Sequence, residues 1–417
     1  MNNRKGLFLG ETQILSELCD SITDCHHSTP KWTDSGKLVI RNFNIKKGRL
    51  SLTDPSFTND ETYNERIKRK RPESGDLIIT REAPMGEVCI IPDGLECCLG
   101  QRMVLLKPNK KRVLGSYLLY ALQSEFVQTQ IQKSDKTGSI VSNLRIPVLE
   151  QLNIPVFDTF TQEKIGSILQ NIDSKIEINN RINALLEEMA KTIYDFWFVQ
   201  FDFPDKHGKP YKTSGGKMIW NEELMREIPE GWESLQLSSK LLFEKGIEPG
   251  SAEYTDKKES IYHVNFIRVG DVDGSSAIFI DTRQKKYSMV SERDVLVTFD
   301  GSVGKVAFGL AGAYSGGLRK IFDKSGLIDN SLIYFIFKDD RINRTIHKYA
   351  TGSILLHAGG SINILKIPYN EEKYLEYQNI ILSSYNKMVM NKKENQKLTE
   401  LRDWLLPMLM NGQVKVS

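Results

Sequence analysis

The chain has 417 residues, of which 40% are hydrophobic and 26% charged, and its formal net charge is +3 at pH 7. This length exceeds what a single core usually serves, so we expect at least two domains. The nearly neutral charge argues against a protein that holds nucleic acid by charge alone. No apolar run reaches the about 18 residues needed to cross a bilayer, and the apolar stretch near the N-terminus is too short for a signal peptide. We therefore expect a cytoplasmic protein without a membrane span.

The cysteines argue against a secreted fold. Their odd number and their confinement to the first quarter of the chain do not suit a disulfide framework. The sequence "CHH" at positions 25–27 has no CxxC or HxxxH partner, so we expect a plain loop there and no metal site. The five cysteines are Cys19, Cys25, Cys89, Cys97 and Cys98.

The first strongly patterned segment is "GDLIITREAPMGEVCII" at positions 75–91. Two apolar runs flank a loop, Arg81–Met85, which predicts a β-hairpin with Leu77 and Ile79 in the core. The same pattern returns at positions 294–308 as "DVLVTFDGSVGKVAF". The matched pairs, each 218 positions apart, are Asp76 with Asp294, Thr80 with Thr298 and Gly86 with Gly304.

The repeat extends well beyond this hairpin. "VIRNFNI" (39–45) is similar to "FIRVGDV" (266–272), with Arg41 matched to Arg268. "CLGQRMVLL" matches "SGGLRKIF", and "TGSIVSNLRIP" (137–147) matches "TGSILLHAGGSI" (351–362). The order of the motifs is preserved, so the chain is predicted to be a duplication of a half-chain of about 210 residues.

The second part of each half-chain predicts a long helix. From Thr159 to Phe198, apolar residues recur in steps of three and four, the spacing of a coiled-coil seam, with interruptions at Lys175 and Asn179. The C-terminal copy keeps this spacing and has Asn391 where Asn179 would fall, 212 positions on. The predicted seam residues are Ile165, Ile168, Ile172, Ile182, Leu186, Met189, Ile193 and Phe196 in the first helix and Leu398, Leu401, Leu405 and Met408 in the second.

A helix of about 40 residues would reach roughly 60 Å, which is long for a compact domain. We expect the two helices to pack on each other as an antiparallel pair, a rod that separates two similar domains and sets their spacing. The alternative is two separate helices, each packed on its own domain. The segment 199–233, rich in proline and glycine, is interpreted as an ordered connector.

Catalytic motifs are missing from the sequence. There is no Walker A motif, no GxSxG elbow and no HExxH, and no Pro-Pro occurs, so the Asn/Asp-Pro-Pro-aromatic loop of an amino-methyltransferase is also absent. The six histidines do not repeat between the halves. A duplicated chain without shared catalytic residues is best interpreted as a duplicated recognition module, and we predict no catalytic residue.

Three passages together resemble the specificity subunit of Type I DNA restriction-modification systems. They are the hairpin region "GDLIITREAPMGEVCIIPDG", the central "YDFWFVQFDFPDKHGKPYKTSGGKMIWNEELMREIPEGWE" and the closing "LTELRDWLLPMLMNGQVKV". The resemblance covers essentially the whole chain. It implies a mixed α/β fold: two tandem pseudo-symmetric target-recognition domains, separated by a pair of long antiparallel coiled-coil helices. The expected boundaries are 1–155 (first recognition domain), 156–200 (central helix), 201–235 (connector), 236–368 (second recognition domain) and 369–417 (C-terminal helix).

The same resemblance implies the function and the partners. Each domain is expected to read one half of a bipartite site on double-stranded DNA, and the helices to dock two methyltransferase (modification) subunits, with restriction and translocase subunits joining them. The chain itself would bind no cofactor; S-adenosylmethionine, ATP and Mg²⁺ are expected on the partners. Because the two halves have diverged, for example Arg81 against Phe299 and Gln101 against Leu318, we expect an asymmetric target.

The DNA-contacting residues are predicted from residue type and from position in the repeat, since arginine and lysine suit guanine and phosphates while asparagine and glutamine suit adenine. For Arg102, Arg319 and Lys320 a structural ion-pair role is an open alternative. The predicted DNA contacts are Arg81, Gln101, Arg102, Lys136, Thr137, Ser139, Asn143, Arg145, Lys305, Arg319, Lys320, Thr351, Ser353 and His357.

Other features keep two interpretations. The basic clusters "RIKRKR" (66–71) and "KPNKKR" (107–112) fit solvated loops or phosphate contacts. Trp197, Phe198 and Trp404 at the helix ends fit partner docking or core packing. For the whole chain, the rival functions are a coiled-coil adaptor that does not bind DNA and a DNA methyltransferase with an unrecognised site.

Overall fold

A computed structural model describes residues 10–134, 143–274, 278–283, 285–352 and 356–414. These residues form two compact units. The first unit comprises residues 1–176 together with 397–417, and the second comprises residues 177–396. Each unit therefore contains a sheet-rich domain and a segment of each long helix, whereas the sequence boundaries treated the helices as segments of their own.

The first half-chain holds strands β1 to β12 and helices α1 to α6. Its strands are β1 (Thr12–Ile14), β2 (Cys19–Asp24), β3 (Trp32–Thr33), β4 (Lys37–Ile40), β5 (Ile45–Lys46), β6 (Arg49–Leu50), β7 (Ser56–Thr58), β8 (Leu77–Thr80), β9 (Val88–Ile90), β10 (Cys97–Leu99), β11 (Met103–Pro108) and β12 (Asn153–Pro155). Its helices are α1 (Leu15–Leu18), α2 (Asp60–Ile67), α3 (Gly115–Gln123), α4 (Glu125–Ser134), α5 (Ile146–Glu150) and α6 (Thr159–Tyr194), the last followed by a π-helical turn, Asp195–Val199.

The second half-chain has a similar order, preceded by an added pair of strands, β13 and β14. Its strands are β13 (Met218–Asn221), β14 (Arg226–Pro229), β15 (Glu233–Gln236), β16 (Leu241–Lys245), β17 (Tyr254–Thr255), β18 (His263–Ile267), β19 (Phe279–Asp281), β20 (Met289–Val290), β21 (Val295–Thr298), β22 (Val306–Ala307), β23 (Gly312–Tyr314), β24 (Leu318–Asp323) and β25 (Lys366–Tyr369). Its helices are α7 (Leu237–Lys240), α8 (Asn330–Phe337), α9 (Asp340–Lys348) and α10 (Glu371–Met410).

The predicted duplication is confirmed by the sheets. The central antiparallel sheet has the strand order β2-β11-β8-β9 in the first unit and β16-β24-β21-β22 in the second. In each unit, the strand that begins the sheet-rich domain also pairs antiparallel with the strand that precedes the long helix: β1 with β12 and β15 with β25. A second sheet in each unit contains one parallel pair, β4 with β10 and β18 with β23.

The predicted hairpin is confirmed as β8 and β9, which pair antiparallel from Leu77 opposite Ile90 to Ile79 opposite Val88. All four residues of β8 are buried, so both faces of the strand are covered. Leu77 and Ile79 belong to the larger core with α3, whereas Ile78 belongs to the smaller core under the second sheet. The continuous apolar run follows from this burial on both faces.

The two long helices pack antiparallel within each unit, as predicted. In the second unit the Asn179 amide donates to the Asn395 side-chain oxygen at 2.9 Å, and the Asn391 amide donates to the Asn183 oxygen at 2.8 Å. These two pairs are repeat equivalents, since both Asn391 and Asn395 lie 212 positions after their counterparts. The described contacts thus exclude the alternative in which each helix packs alone on its own domain.

The predicted seam is correct in its first part and wrong further on. Ile165 and Ile172 are buried, but Met189 and Phe196 are 50% and 40% exposed, and Leu401 on α10 is 43% exposed. Beyond residue 176, α6 has two apolar faces, and the spacing of apolar residues alone does not show which face is buried by the rest of the chain. Its buried face after that point follows Ile176, Asn179, Asn183, Ala190 and Tyr194.

Candidate nucleic-acid interface

A buried threonine fixes the hairpin loop in each domain. The Thr80 hydroxyl donates to the Pro84 carbonyl at 2.6 Å and accepts from the Glu87 N–H at 3.0 Å. The same pattern recurs around Thr298, whose hydroxyl donates to the Ser302 carbonyl and accepts from the Lys305 N–H at 2.9 Å. Because both hydroxyls are fully buried, these bonds are sheltered from water, and they hold the two loops in the same shape.

Neighbouring segments meet this loop in the first unit. The Arg81 N–H donates to the Arg102 carbonyl at 2.8 Å, and the Leu144 N–H donates to the Arg81 carbonyl at 2.9 Å. The Asn42 side chain donates to the Ala83 carbonyl at 2.7 Å. We call this surface the first edge; it consists of residues 41–44, 81–87, 100–102 and 143–145.

The second unit assembles the equivalent segments. The Phe299 N–H donates to the Gly317 carbonyl at 2.9 Å, and the Ala358 N–H donates to the Phe299 carbonyl at 2.7 Å. We call this surface the second edge; it consists of residues 268–271, 299–305, 316–319 and 356–358. The two edges share a pattern of backbone hydrogen bonds, and they differ in side chains.

An acidic side chain with a repeat-equivalent partner lies in both edges. Glu82 accepts from the Asn143 amide at 2.7 Å, and Asp300 lies 2.8 Å from Nδ1 of His357. Glu82 also pairs with Arg102 at 3.2 Å. The sequence prediction missed both carboxylates, although their offset of 218 positions, the same as that of the threonines, was a signal that could have found them.

The predicted contacts of the first domain that lie among the described residues belong to the first edge. Arg81 is mainly structural: it forms an ion pair with Asp24 at 2.8 Å and donates to the Leu144 carbonyl, and its side chain is 12% exposed. Arg102 is much more open than Arg81, with 55% of its side chain exposed. The remaining positions are Gln101, which donates to the His27 carbonyl, Asn143, which donates to Glu82, and Arg145, which is exposed before α5.

The predicted contacts of the second domain divide into two groups. At the edge, Lys305 pairs with Asp273, and Thr351 exchanges backbone hydrogen bonds with His357, whose side chain is 56% exposed. Arg319 and Lys320, in contrast, serve the fold.

Only 8% of Arg319 is exposed, and its guanidinium donates to the Gly316 and Leu318 carbonyls at 2.7 and 3.0 Å. Burial lowers the pKa of Arg319 from its usual range. Lys320 pairs with Glu244 at 3.0 Å and donates to the Met289 carbonyl. For these two residues the structure supports the structural role that the sequence left open. Lys136, Thr137, Ser139 and Ser353 lie outside the described residues.

The aromatic residues proposed for partner docking also divide. Trp197 and Phe198 are 7% and 0% exposed and pack in the core of the second unit, where the Phe198 ring lies 4.0 Å from that of Tyr374. The docking prediction is therefore wrong for these two, because their rings are covered by the chain itself. Trp404 is 57% exposed and keeps that assignment open.

The basic cluster 66–71 is largely committed to the fold. Arg66 is 7% exposed and donates to the Leu99 and Ser28 carbonyls, and Arg71 pairs with Glu96 at 2.9 Å. Lys107, in the other cluster, pairs with Glu73. Among the described residues, no three His, Cys, Asp or Glu side chains group to hold a metal ion, and no helix is long and apolar enough to cross a bilayer.

A duplicated fold with two equivalent edges is typical of two-domain recognition subunits, and comparison with known proteins shows which subunits the chain resembles. Residues 26–188 match the Type I restriction modification DNA specificity domain. The chain is thus similar to the specificity subunits of Type I restriction-modification systems.

The relatives span nearly the whole chain. It is 25% identical over 358 residues to the Type I restriction enzyme MjaIX specificity subunit of Methanocaldococcus jannaschii, covering 82% of this chain and 78% of that protein. It is 22% identical over 408 residues to the HindI specificity subunit of Haemophilus influenzae, covering 83% and 88%. The crystal structure of the Type I restriction-modification S subunit from M. genitalium has the same fold, with a TM-score of 0.54, 15% identity and coverage of 98% and 97%.

Proposed function

We propose that this chain reads a two-part, asymmetric DNA sequence, with one edge on each half-site, and brings two methyltransferase subunits to it. The observation that carries the proposal is the pair of edges, which have the same pattern of backbone hydrogen bonds and different side chains. The restriction and translocase subunits would join the same complex. S-adenosylmethionine, ATP and Mg²⁺ would bind to the partner subunits. Because the proposed target is DNA, we place the chain in the cytoplasm.

The different side chains support an asymmetric target. Contacts to base edges specify sequence, and contacts to phosphates fix position. Asn143 is matched by His357 and Glu82 by Asp300, so the two edges offer different donors and acceptors at equivalent points. A symmetric dimer would read a palindrome, whereas a diverged tandem repeat can read two unrelated halves.

A partner surface is suggested by an exposed apolar stripe on α6 and the π-helical turn after it, in the second unit. Ile178, Leu185, Met189 and Phe196 are 54%, 57%, 50% and 40% exposed, and they recur in steps of seven, four and seven. This spacing places them along one side of a helix. Apolar stripes of this kind on a protein surface mark interaction sites.

The first unit carries a related surface on α10. Leu401 and Trp404 are 43% and 57% exposed, and Leu401 is the repeat equivalent of Met189. Two similar apolar surfaces suit two copies of one partner. We therefore assign both stripes to the methyltransferase subunits, one copy to each unit.

The test is a genome-wide map of methylated adenines in cells with and without this gene. We expect one bipartite motif, with different halves, to lose its methylation in the deletion strain. The same motif should be bound preferentially by the chain when it is reconstituted with its methyltransferase subunits. Binding without sequence preference would instead support the adaptor function, and methyl transfer by the isolated chain would support an enzyme.

A further inference from the structure

Arg41 and Arg268 occupy equivalent places in the two repeats. Each begins a single 3₁₀ turn, and its backbone N–H donates to the side chain three residues on. The acceptor is Asn44 at 2.9 Å in the first edge and Asp271 at 3.0 Å in the second. The two arginines therefore start from the same backbone position and differ in what surrounds their guanidinium groups.

In the second edge Arg268 forms an ion pair with Asp271. Asp271 accepts from Nε of Arg268 at 3.1 Å and from its terminal nitrogen at 3.4 Å, besides capping the turn. A carboxylate paired in this way occupies two of the donors that arginine would need for a base.

In the first edge the equivalent acceptor cannot pair. Asn44 is 2% exposed and turns its amide to the carbonyls of Ser51 and Asp54, at 3.0 and 3.4 Å. Within the part of the chain that the structure describes, no carboxylate lies within ion-pair distance of the Arg41 guanidinium. One difference, Asn44 against Asp271, thus leaves Arg41 without a carboxylate partner and Arg268 paired with one.

Two aromatic rings hold the Arg41 guanidinium instead. It lies 4.9 Å from the ring centre of Trp32 and 4.5 Å from that of Phe43, which are 43% and 37% exposed. Stacking uses the faces of the planar group and leaves its in-plane N–H donors free. The equivalent of Phe43 in the second repeat is Gly270, which offers no ring.

Arg41 lies beside the other segments of the first edge. The adjacent Asn42 bonds to the Ala83 carbonyl of the hairpin loop. A Cβ on Gly100 would lie at van der Waals distance, 3.5 Å, from Cγ of Arg41, so the arginine stem lies against the segment 100–102. The guanidinium is thus placed where the proposed function puts DNA.

We propose that Arg41 recognises a guanine in the half-site bound by the first edge, and that Arg268 reads no base. A free, planar, pre-positioned guanidinium can donate to O6 and N7 of guanine at once. The inference rests on the proposed function and adds to it the residue that determines which base is preferred at one position of the target.

The test uses the chain reconstituted with its methyltransferase subunits and a duplex library in which each target base pair is varied. Arg41→Ala should lower discrimination at one guanine by about tenfold to a hundredfold, the range that a bidentate arginine contact supplies. Arg41→Lys should not restore it, because a lysine has no planar fork. The matched control, Arg268→Ala, should leave discrimination unchanged at every position.

Three results would overturn the assignment. One is unchanged discrimination in Arg41→Ala; another is a uniform loss of affinity that Arg41→Lys restores, which indicates a phosphate contact. The third is relaxed discrimination in Arg268→Ala. Thermal unfolding shows whether each variant is folded, and Arg41→Gln replaces Arg41→Ala if the latter is not. If the unaltered complex binds all duplexes equally, the proposed function fails before any variant is measured, and the inference falls with it.

Discussion

In each unit the sheet-rich domain packs on the long helices. This contact is centred on a charged residue in the first unit and on an aromatic residue at the equivalent position in the second. In the first unit, Asp173 accepts from Arg402 at 3.0 Å, from Arg49 at 2.6 Å and from the Tyr120 hydroxyl at 2.8 Å. In the second unit, the residue 212 positions after Asp173 is Tyr385.

Aromatic contacts replace the ion pairs around Tyr385. Its ring lies 5.0 Å from that of Phe308 and 5.9 Å from that of Tyr334. Ala190 stands where the first unit has Arg402. A charged network depends on every member, because removal of one leaves the others buried and unpaired, whereas an aromatic cluster loses contacts one at a time.

The largest effect is expected in the aromatic core of the second unit. Phe198→Ala should lower the free energy of unfolding by about 3–5 kcal/mol, because a fully buried ring is removed from a close-packed cluster. Met410, its counterpart 212 positions on, is 1% exposed in the core of the first unit. Met410→Ala should destabilise by about 2–5 kcal/mol. Denaturant titration measures both.

Trp404→Ala is the control for these core variants. Because 57% of Trp404 is exposed, we expect a change in unfolding free energy within about 0.5 kcal/mol together with weaker co-purification of the methyltransferase subunit. Unfolding by Trp404→Ala, or a harmless Phe198→Ala, would contradict the division between core and surface aromatics.

The second effect concerns the network of the first unit. Asp173→Ala should destabilise by about 2–3 kcal/mol, because Arg49 and the Tyr120 hydroxyl lose their acceptor and Arg402 keeps only Asp403. The double variant Asp173→Tyr with Arg402→Ala installs the residues of the second unit and should recover part of that loss. Urea titration of the three proteins checks this order, and a double variant less stable than Asp173→Ala would show that the two packing solutions cannot be exchanged.

A smaller loss of stability, equal in the two units, is expected at the hairpin loops held by Thr80 and Thr298. Thr80→Val and Thr298→Val keep the side-chain shape but remove the hydroxyl that donates to a carbonyl and accepts from an N–H in each loop. Each should destabilise by about 1–3 kcal/mol, because buried backbone groups lose their partner. The two values should agree, and hydrogen exchange should show faster exchange at Glu87 and Lys305. A clear difference between them would show that the loops are held differently.

The smallest effect on stability is expected at Arg102. Its pair with Glu82 is largely solvent-exposed on the arginine side, so Arg102→Ala should cost about 0.5 kcal/mol or less. If Arg102 contacts a phosphate, the salt dependence of DNA binding should fall by about one unit of slope. Arg319→Ala, at the matched buried position, should destabilise the fold more than Arg102→Ala does. Equal stability of these two variants would contradict their different burial.

The repeat and the hairpin could be predicted because they depend on local patterns. Thr80 and Thr298 share neighbours and offset, and a strand–loop–strand needs only apolar runs around a loop. The long helices were predictable for the same reason. The class of protein followed from this organisation together with the family resemblance.

What could not be predicted is which of several similar residues meets which neighbour. Met189 fits a helical seam as well as Ala190 does, and only the position of the partner helix decides that Met189 is exposed and Ala190 buried. Arg319 and Arg102 look alike in sequence, yet carbonyls surround one and solvent the other. The importance of Arg41 depends on Asn44 being buried, and burial at this position has no local signal.

The threonine-pinned loops have a consequence for how such a protein changes over generations. The backbone of each loop is fixed by Thr80 or Thr298, so the side chains between the bonded ends do not have to maintain its shape. Glu82 and Asp300 already show that the length of the acid can vary there while the loop persists. A lineage could therefore acquire a new target sequence through a few substitutions on a constant frame, and the two halves could diverge independently.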